Sequence, residues 1–328
     1  MKKTLFVILS LALLLGSATS CRKKSEDPSL RKLRVVLDWT PNTNHTGLYV
    51  AQELGYFKDA NLEVEIIQPG QNSAEQIVAS GNALFGISYQ ESVIRAQVEG
   101  IPLVSLAAII QHNTSGFASL KSAGITRPKD FAGKRYGSSG WPSELEILKS
   151  VVKADSASFE DITVVEGVYD FFSTIGREAD FEWIFWGWDG VEAQRRGIAL
   201  DYIPVRDLNP VFDYYTPVLI CNEKTTQADP KLVKDFMEAV AKGYQYCIQH
   251  PNEAADILIK AVPEMAANPE HIRLSMNYLK DQYQADALYW GYQRDEVWQG
   301  FVDWMFNKRL IMMGIKADKM FTNEFLPQ

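Results

Sequence analysis

The fold is decided by residues 33–67, which read LRVVLDWTPNTNHTGLYVAQELGYFKDANLEVEII. LRVVLDW reads as a strand, TGLYVAQELGYFKDA as a helix and LEVEII as a second strand. A strand, a helix and a strand in this order predict a βαβ unit and therefore the α/β class. The loop between the first strand and the helix is rich in polar, aromatic and rigid residues, which is more side-chain chemistry than a simple turn needs.

The same alternation continues on both sides of the chain's middle. SAEQIVASG, FGISY, ESVIRAQVEG and PLVSLAAII complete a first series, and a second series begins near Ile125 with KRYGSSG, WPSELEILKSVVKAD, ITVVEGV, EWIFWGW and ALDYIPV. VFDYYTPVLICNE reads as one more strand, and the chain from Asp229 onward reads as helical. Continuous apolar strands such as residues 104–110 favour a sheet that is covered on both faces.

Two α/β lobes explain this order. We predict a first lobe from residues 33–118 and 213–328, and a second lobe from residues 119–212. The lobes would be joined near residues 115–125 and 208–220, with the C-terminal helices packed on the first lobe. A cleft between two lobes is the default place for a ligand.

The N-terminus predicts export. Lys2 and Lys3 precede an apolar run at residues 5–15, so residues 1–20 are predicted to be a signal peptide. The ending ATSC resembles a bacterial lipobox, although Ala18 stands where Leu is usual, and it predicts lipidation of Cys21 with residues 21–32 as a tether. The alternative is an ordinary signal peptide with a chance cysteine. The predicted location is the outer face of the cytoplasmic membrane.

Composition narrows the function classes. With 46% hydrophobic and 23% charged residues the chain is globular, and its length favours two domains. The formal net charge of −8 becomes more negative once Lys2 and Lys3 are removed, which argues against nucleic acid as a partner. Two remaining cysteines, Cys221 and Cys247, do not make a disulfide framework, and both are expected to be buried thiols.

Three aromatic and polar clusters fall where predicted strands end. In open α/β sheets these ends carry the ligand contacts. The candidate ligand-binding residues there are Asp38, Trp39, Asn42, Tyr89, Glu91, Trp186, Trp188 and Glu192. Each also has an ordinary structural interpretation: the tryptophans can pack in a core, and an acid in the first turn of a helix favours the helix dipole.

The pairing of aromatic residues with carboxylates has a chemical meaning. An aromatic face stacks on a flat ring, and a carboxylate accepts hydrogen bonds from an exocyclic amine or a protonated ring nitrogen. Anionic ligands would favour Arg, Lys or free backbone N–H groups instead. Asp38, Glu91 and Glu192 therefore favour an amine-bearing ligand.

The GSSG sequence at residues 137–140 is a further candidate. Its backbone N–H groups, with Ser138 or Ser139, could hold a polar ligand tail, but a turn that caps the following helix explains it equally well. No enzymatic or metal motif emerges. Ser150 and Lys153 match S-x-x-K without its partner motifs, and the four histidines lack metal-ligand spacing, so no catalytic residue, cofactor or metal is predicted.

WTPNTNHTGLYVAQELGYF and FWGWDGVEA resemble the extracytoplasmic substrate-binding proteins of ABC importers that salvage thiamine pyrimidine precursors. This family includes formylaminopyrimidine-binding proteins and relatives that bind riboflavin. The resemblance implies the two-lobed periplasmic-binding-protein type II fold and a pyrimidine ring stacked on aromatic residues, with a carboxylate at its amino group. It also implies a membrane permease and a cytoplasmic ATPase as partners. Trp186 stands where a Tyr is expected in relatives.

Two alternatives stay open. Riboflavin has a larger flat ring system that stacked Trp and Tyr would also suit. A eukaryotic pyrimidine synthase shares the fold and the W-x-P-N-T-N-H motif, including His45, which that enzyme consumes. The present chain lacks the cysteine-rich iron motif of that enzyme, so His45 is interpreted as a structural or ligand-contacting residue.

Overall fold

Two five-stranded mixed sheets form the framework of the protein. The computed structural model describes residues 30–327; the predicted signal peptide and the predicted lipidation site Cys21 lie outside them. The first sheet has the order β2-β1-β3-β10-β4, and its strands are β1 (Arg31–Val36), β2 (Leu62–Ile67), β3 (Phe85–Ser88), β4 (Leu103–Ala108) and β10 (Val218–Asn222). The second has the order β7-β6-β8-β5-β9, with β5 (Ser115–Leu120), β6 (Arg135–Ser138), β7 (Thr163–Glu166), β8 (Phe181–Phe185) and β9 (Leu200–Pro204).

Helices connect the strands and form the C-terminal part of the chain. Those between strands are α1 (Thr46–Glu53), α2 (Tyr56–Asp59), α3 (Ala74–Ala79), α4 (Gln90–Val98), α5 (Glu144–Ala154), α6 (Phe171–Thr174), α7 (Val191–Arg195) and α8 (Val205–Leu208). After β10 follow α9 (Glu223–Ala228), α10 (Pro230–Gln249), α11 (Pro251–Ala261), α12 (Pro269–Leu279) and α13 (Asp295–Asn307). None of the helices in residues 30–327 is both long and apolar enough to cross a bilayer.

The first sheet is covered on both faces, as the sequence predicts. Successive strand residues point to opposite faces, so Val35 and Leu37 belong to one apolar core while Val36 belongs to the other. The first core packs against α1, α10, α11 and α12, and the second against α3, α4 and α13. All six residues of β4 are buried. Helices from the C-terminal part of the chain therefore cover both faces of the first sheet.

The segment at residues 115–125 differs from its prediction. It was predicted to be a connection between the lobes, but Ser115–Leu120 forms β5, which lies between β8 and β9 in the second sheet. SGFASL is rich in small residues and gives a weak strand signal. Glycine is needed there because a Cβ on Gly116 would lie 2.4 Å from the carbonyl oxygen of Ile203 on β9. Cys221 and Cys247 are buried free thiols, as expected.

Candidate functional site

The first strand-end cluster is organised around the carboxylate of Asp38. Its Oδ1 lies 2.6 Å from Nε2 of His45, and its Oδ2 accepts a hydrogen bond of 2.6 Å from the Tyr89 hydroxyl. Burial raises the pKa of Asp38, but the nearby His45 and the hydrogen bonds from His45 and Tyr89 outweigh it and hold the pKa below its ordinary value. The three side chains join the ends of β1 and β3 into one network.

The loop after β1 is fixed by its own backbone. The Asn42 side chain accepts a hydrogen bond from the N–H of Asn44, and the Asn42 N–H points at Nδ1 of His45 at 3.1 Å. The proton of the His45 ring therefore sits on Nε2, facing Asp38. The Asn42 side chain caps a turn in this arrangement, while the indole of Trp39 remains 64% exposed. The exposed Trp39 therefore lies beside a loop that is fixed by its own hydrogen bonds.

Glu91 joins the two lobes. Its Oε1 accepts hydrogen bonds from Ser143, which precedes α5 in the second lobe, and from Arg95 one turn further along α4, at 2.7 and 2.9 Å. Burial raises the pKa of Glu91, and these two hydrogen bonds oppose the shift. The carboxylate is therefore bound by groups of the protein itself. We call Glu91, Arg95 and Ser143 the α4 contact.

Glu192 lies in a second connection between the lobes. Oε1 accepts from Arg195 at 2.8 Å and Arg196 at 2.6 Å, and Oε2 accepts from Arg195 at 2.8 Å. Asn268, at the start of α12, donates to both oxygens at 3.3 and 3.2 Å. Hydrogen bonds from Arg195 and Arg196 lower the pKa of Glu192 to about 2. A carboxylate has about four acceptor positions, and here protein donors occupy them.

Trp186 and Trp188, which follow β8, are both engaged in packing. Trp186 packs against Tyr202, with ring centroids 4.6 Å apart, and Trp188 packs against His271, with centroids 4.3 Å apart. The Trp188 carbonyl accepts a hydrogen bond of 3.0 Å from His271, and the Gly187 carbonyl accepts one from Ser275. We call this line of contacts between residues 186–192 and α12 the α12 seam.

The GSSG loop binds a carboxylate of the chain itself. Glu144 accepts hydrogen bonds from the backbone N–H groups of Ser139, Gly140 and Trp141 at 3.3, 2.8 and 3.2 Å. The Ser138 hydroxyl is buried and accepts from Gly140, whereas Ser139 is exposed. The loop therefore caps α5, as the alternative interpretation proposed. The capping side chain is Glu144, however, and not a serine.

The structure adds residues that the sequence analysis missed. Tyr169 follows β7 and is 77% exposed, and Phe185 ends β8 and is 39% exposed. Both strands pair with β6 in parallel, so their carboxyl ends lie at one edge of the second sheet. Asp189 lies in the turn after β8, and its Oδ2 accepts from the backbone N–H of Phe185 at 3.3 Å. The strand-end rule would have identified Tyr169, since it follows the predicted strand ITVVEGV.

The carboxyl ends of the two sheets face each other. Glu91, after β3, meets Ser143, and residues 187–192, after β8, meet α12. Trp39 follows β1 of the first sheet, and Tyr169, Phe185 and Asp189 lie at the carboxyl ends of β7 and β8 in the second sheet. Within residues 30–327 no group of three or more His, Cys, Asp or Glu residues is arranged to hold a metal ion.

Comparisons with solved structures agree with this architecture. The periplasmic aliphatic sulphonate-binding protein SsuA from Escherichia coli superposes with a TM-score of 0.69 at 15% identity, covering 90% of this chain and 99% of that one. The protein therefore has the two-lobed periplasmic-binding-protein fold that the sequence resemblance implied.

Sequence comparisons identify the family. The formylaminopyrimidine-binding protein of Halalkalibacterium halodurans is 30% identical over 92% of this chain and 93% of its own. A 4-amino-5-hydroxymethyl-2-methylpyrimidine phosphate synthase of Saccharomyces cerevisiae, THI11, is 24% identical over 91% of this chain and 88% of its own. The family model described as NMT1/THI5 like matches residues 42–254. This chain therefore belongs to the NMT1/THI5-like family.

Proposed function

We propose that the protein binds an aminopyrimidine precursor of thiamine, such as N-formyl-4-amino-5-aminomethyl-2-methylpyrimidine, between its lobes for import. The observation that carries the proposal is Trp39, a 64% exposed indole that directly follows Asp38, whose carboxylate is fixed by His45 and Tyr89. A fixed aromatic face suits a flat ring, because stacking needs no reordering of the protein. The 30% identical relative that is named for formylaminopyrimidine binding supports the same ligand class.

In the proposed role the protein is a lipoprotein of an ABC importer. The lipid at Cys21 holds it at the outer face of the cytoplasmic membrane, and residues 21–32 act as the tether. The closed form delivers the ligand to a membrane permease, which a cytoplasmic ATPase drives. Such a protein changes no covalent bond in its ligand.

The contacts of His45 favour binding over catalysis. The ring is fully buried, one nitrogen faces Asp38 and the other faces the N–H of Asn42. A histidine that reacts with a substrate needs an accessible nitrogen. Incubation with ligand followed by mass spectrometry should leave His45 unmodified, and a change in its mass would instead favour the synthase activity for which the yeast relative is named.

Isothermal titration calorimetry tests the ligand class. The full-length protein should release heat with N-formyl-4-amino-5-aminomethyl-2-methylpyrimidine and bind riboflavin and taurine more weakly or not at all. Trp39→Ala should weaken pyrimidine binding by about tenfold or more, since the stacking face is lost. Because Trp39 is exposed, the free energy of unfolding should change by less than about 0.5 kcal/mol. No heat with any pyrimidine would refute the proposal.

A further inference from the structure

Two stretches of chain cross between the sheets and connect the lobes. The first is residues 109–114, which lead from β4 of the first sheet to β5 of the second. The second is residues 205–217, which lead from β9 back to β10 and contain α8. We call them the first and the second crossing segment. A rotation of one lobe against the other has to be absorbed by changes of φ and ψ in both segments.

The first crossing segment is fastened on both sides of its midpoint. Toward the first lobe, the Gln111 N–H donates to the Gln282 carbonyl at 3.1 Å. Toward the second crossing segment, the Asn113 side chain donates to the Phe212 carbonyl at 2.9 Å. His112 lies between these two contacts and belongs to neither of them.

The ring of His112 bridges the two sides. Its Nδ1 lies 2.7 Å from Oδ2 of Asp213 in the second crossing segment, and its Nε2 lies 2.9 Å from Oδ1 of Asp286 in the loop after α12. The other oxygen of Asp213 accepts a hydrogen bond from the Asn113 N–H at 2.8 Å. One imidazole therefore ties the first crossing segment both to the second and to the first lobe.

A neutral imidazole cannot donate to both carboxylates. It carries one N–H, and its other nitrogen is an acceptor, which would face a carboxylate oxygen. Only the imidazolium donates from both nitrogens. The hydrogen bond to Asp213 raises the pKa of His112 above its ordinary value, against the effect of burial and with the help of Asp286. Among residues 30–327 the charged groups that act on the ring are these two aspartates, and Arg294 acts in turn on Asp286.

We propose that His112 is a proton-dependent clamp on the connection between the lobes. With its proton, the ring holds both crossing segments and the first lobe together; without it, one of the two bonds to a carboxylate is lost and the segments bend more easily. This inference goes beyond the proposed function, because it does not depend on which ligand the lobes enclose. Since the pKa of His112 is raised, the clamp is complete below the unfolded value near 6.5 and is lost as pH rises through the folded value.

Hydrogen–deuterium exchange of the full-length protein, measured by mass spectrometry, tests the clamp. After correction for intrinsic exchange, residues 109–114 should be about tenfold or more better protected at about pH 6 than at about pH 9, the factor expected for a hydrogen bond between charged groups. In His112→Gln the protection should be low at both pH values. Asp286→Asn should reduce the pH dependence, and it should fold normally because the Asp286 side chain is 69% exposed.

His250→Gln is the matched control. His250 lies outside the crossing segments, with Nδ1 3.8 Å from Oε2 of Glu253 at the surface, so this variant should keep the pH dependence of wild type. The buried helix α10 is the internal reference, and its protection should change with pH by a smaller factor than that of residues 109–114. A pH dependence that is absent from wild type, that persists unchanged in His112→Gln or Asp286→Asn, that is lost in His250→Gln, or that is equal in α10 would overturn the inference.

Discussion

The α4 contact and the α12 seam join the same two lobes on opposite faces of the first sheet, yet they use a carboxylate in opposite ways. At the α12 seam, arginine hydrogen bonds lower the pKa of Glu192, so the folded protein favours its charge. At the α4 contact, burial raises the pKa of Glu91, so the folded protein disfavours its charge.

Apolar packing accompanies the hydrogen bonds at both connections. Trp188 packs against the core of the first lobe, and a Cβ on Gly187 would lie 2.9 Å from Leu279 Cδ2. At the α4 contact, the hydrogen bonds around Glu91 accompany an apolar core that contains both Ile94 of α4 and Leu148 of α5.

The largest effect is expected from overpacking the seam. Gly187→Val should lower the free energy of unfolding by about 3 kcal/mol, because the new side chain collides with α12. Urea denaturation measures it. Gly300→Val is the matched control, since a Cβ at Gly300 meets nothing within 4 Å, and it should change stability by less than about 0.5 kcal/mol. Equal losses in both variants would contradict a tight seam.

A smaller effect should follow from removing the charge of the seam. Glu192→Gln should cost about 2 kcal/mol at neutral pH, because the ionised carboxylate is favoured by its arginine partners. The lowered pKa means that this stabilisation is complete above the unfolded value near 4.5 and is lost as pH falls toward about 2. The difference in free energy of unfolding between wild type and Glu192→Gln should therefore be smaller at about pH 3 than at neutral pH, as urea denaturation at both pH values would show. A stability difference that stays the same at both pH values would contradict stabilisation by the ionised Glu192.

The smallest effect is expected at the α4 contact. Glu91→Gln should change the free energy of unfolding by less than about 1 kcal/mol at neutral pH, as relief of the buried charge offsets weaker bonds to Ser143 and Arg95. The pKa of Glu91 is raised, so the stability that this group contributes is greatest at low pH and falls as pH rises. The stability of wild type relative to Glu91→Gln should therefore rise as pH decreases, whereas its stability relative to Glu192→Gln should fall. If both stability differences changed with pH in the same direction, the contrast between the two glutamates would be wrong.

Much of the fold could be predicted from the sequence because its strands alternate or are continuously apolar. Residues 104–110 and the C-terminal helices carry patterns that follow from burial on one or both faces. β5 was missed because SGFASL has few β-branched residues, and its position depends on a close approach to β9 that no local pattern encodes.

The sequence selected the candidate site residues but could not identify the partners of their side chains. Strand ends located Asp38, Trp39 and the turn after β8, whereas which carboxylate is free depends on partners far along the chain. Asn268 and Ser143 engage Glu192 and Glu91 from distances of 76 and 52 residues. Local sequence cannot reveal such contacts.

The network of Asp38, His45 and Tyr89 also bears on the kinetics of ligand capture. Because the loop after β1 is held by protein hydrogen bonds, its conformational entropy is already lost before a ligand arrives. Encounter with Trp39 then requires no local ordering, and we expect the association rate to be limited by diffusion and by closure of the lobes.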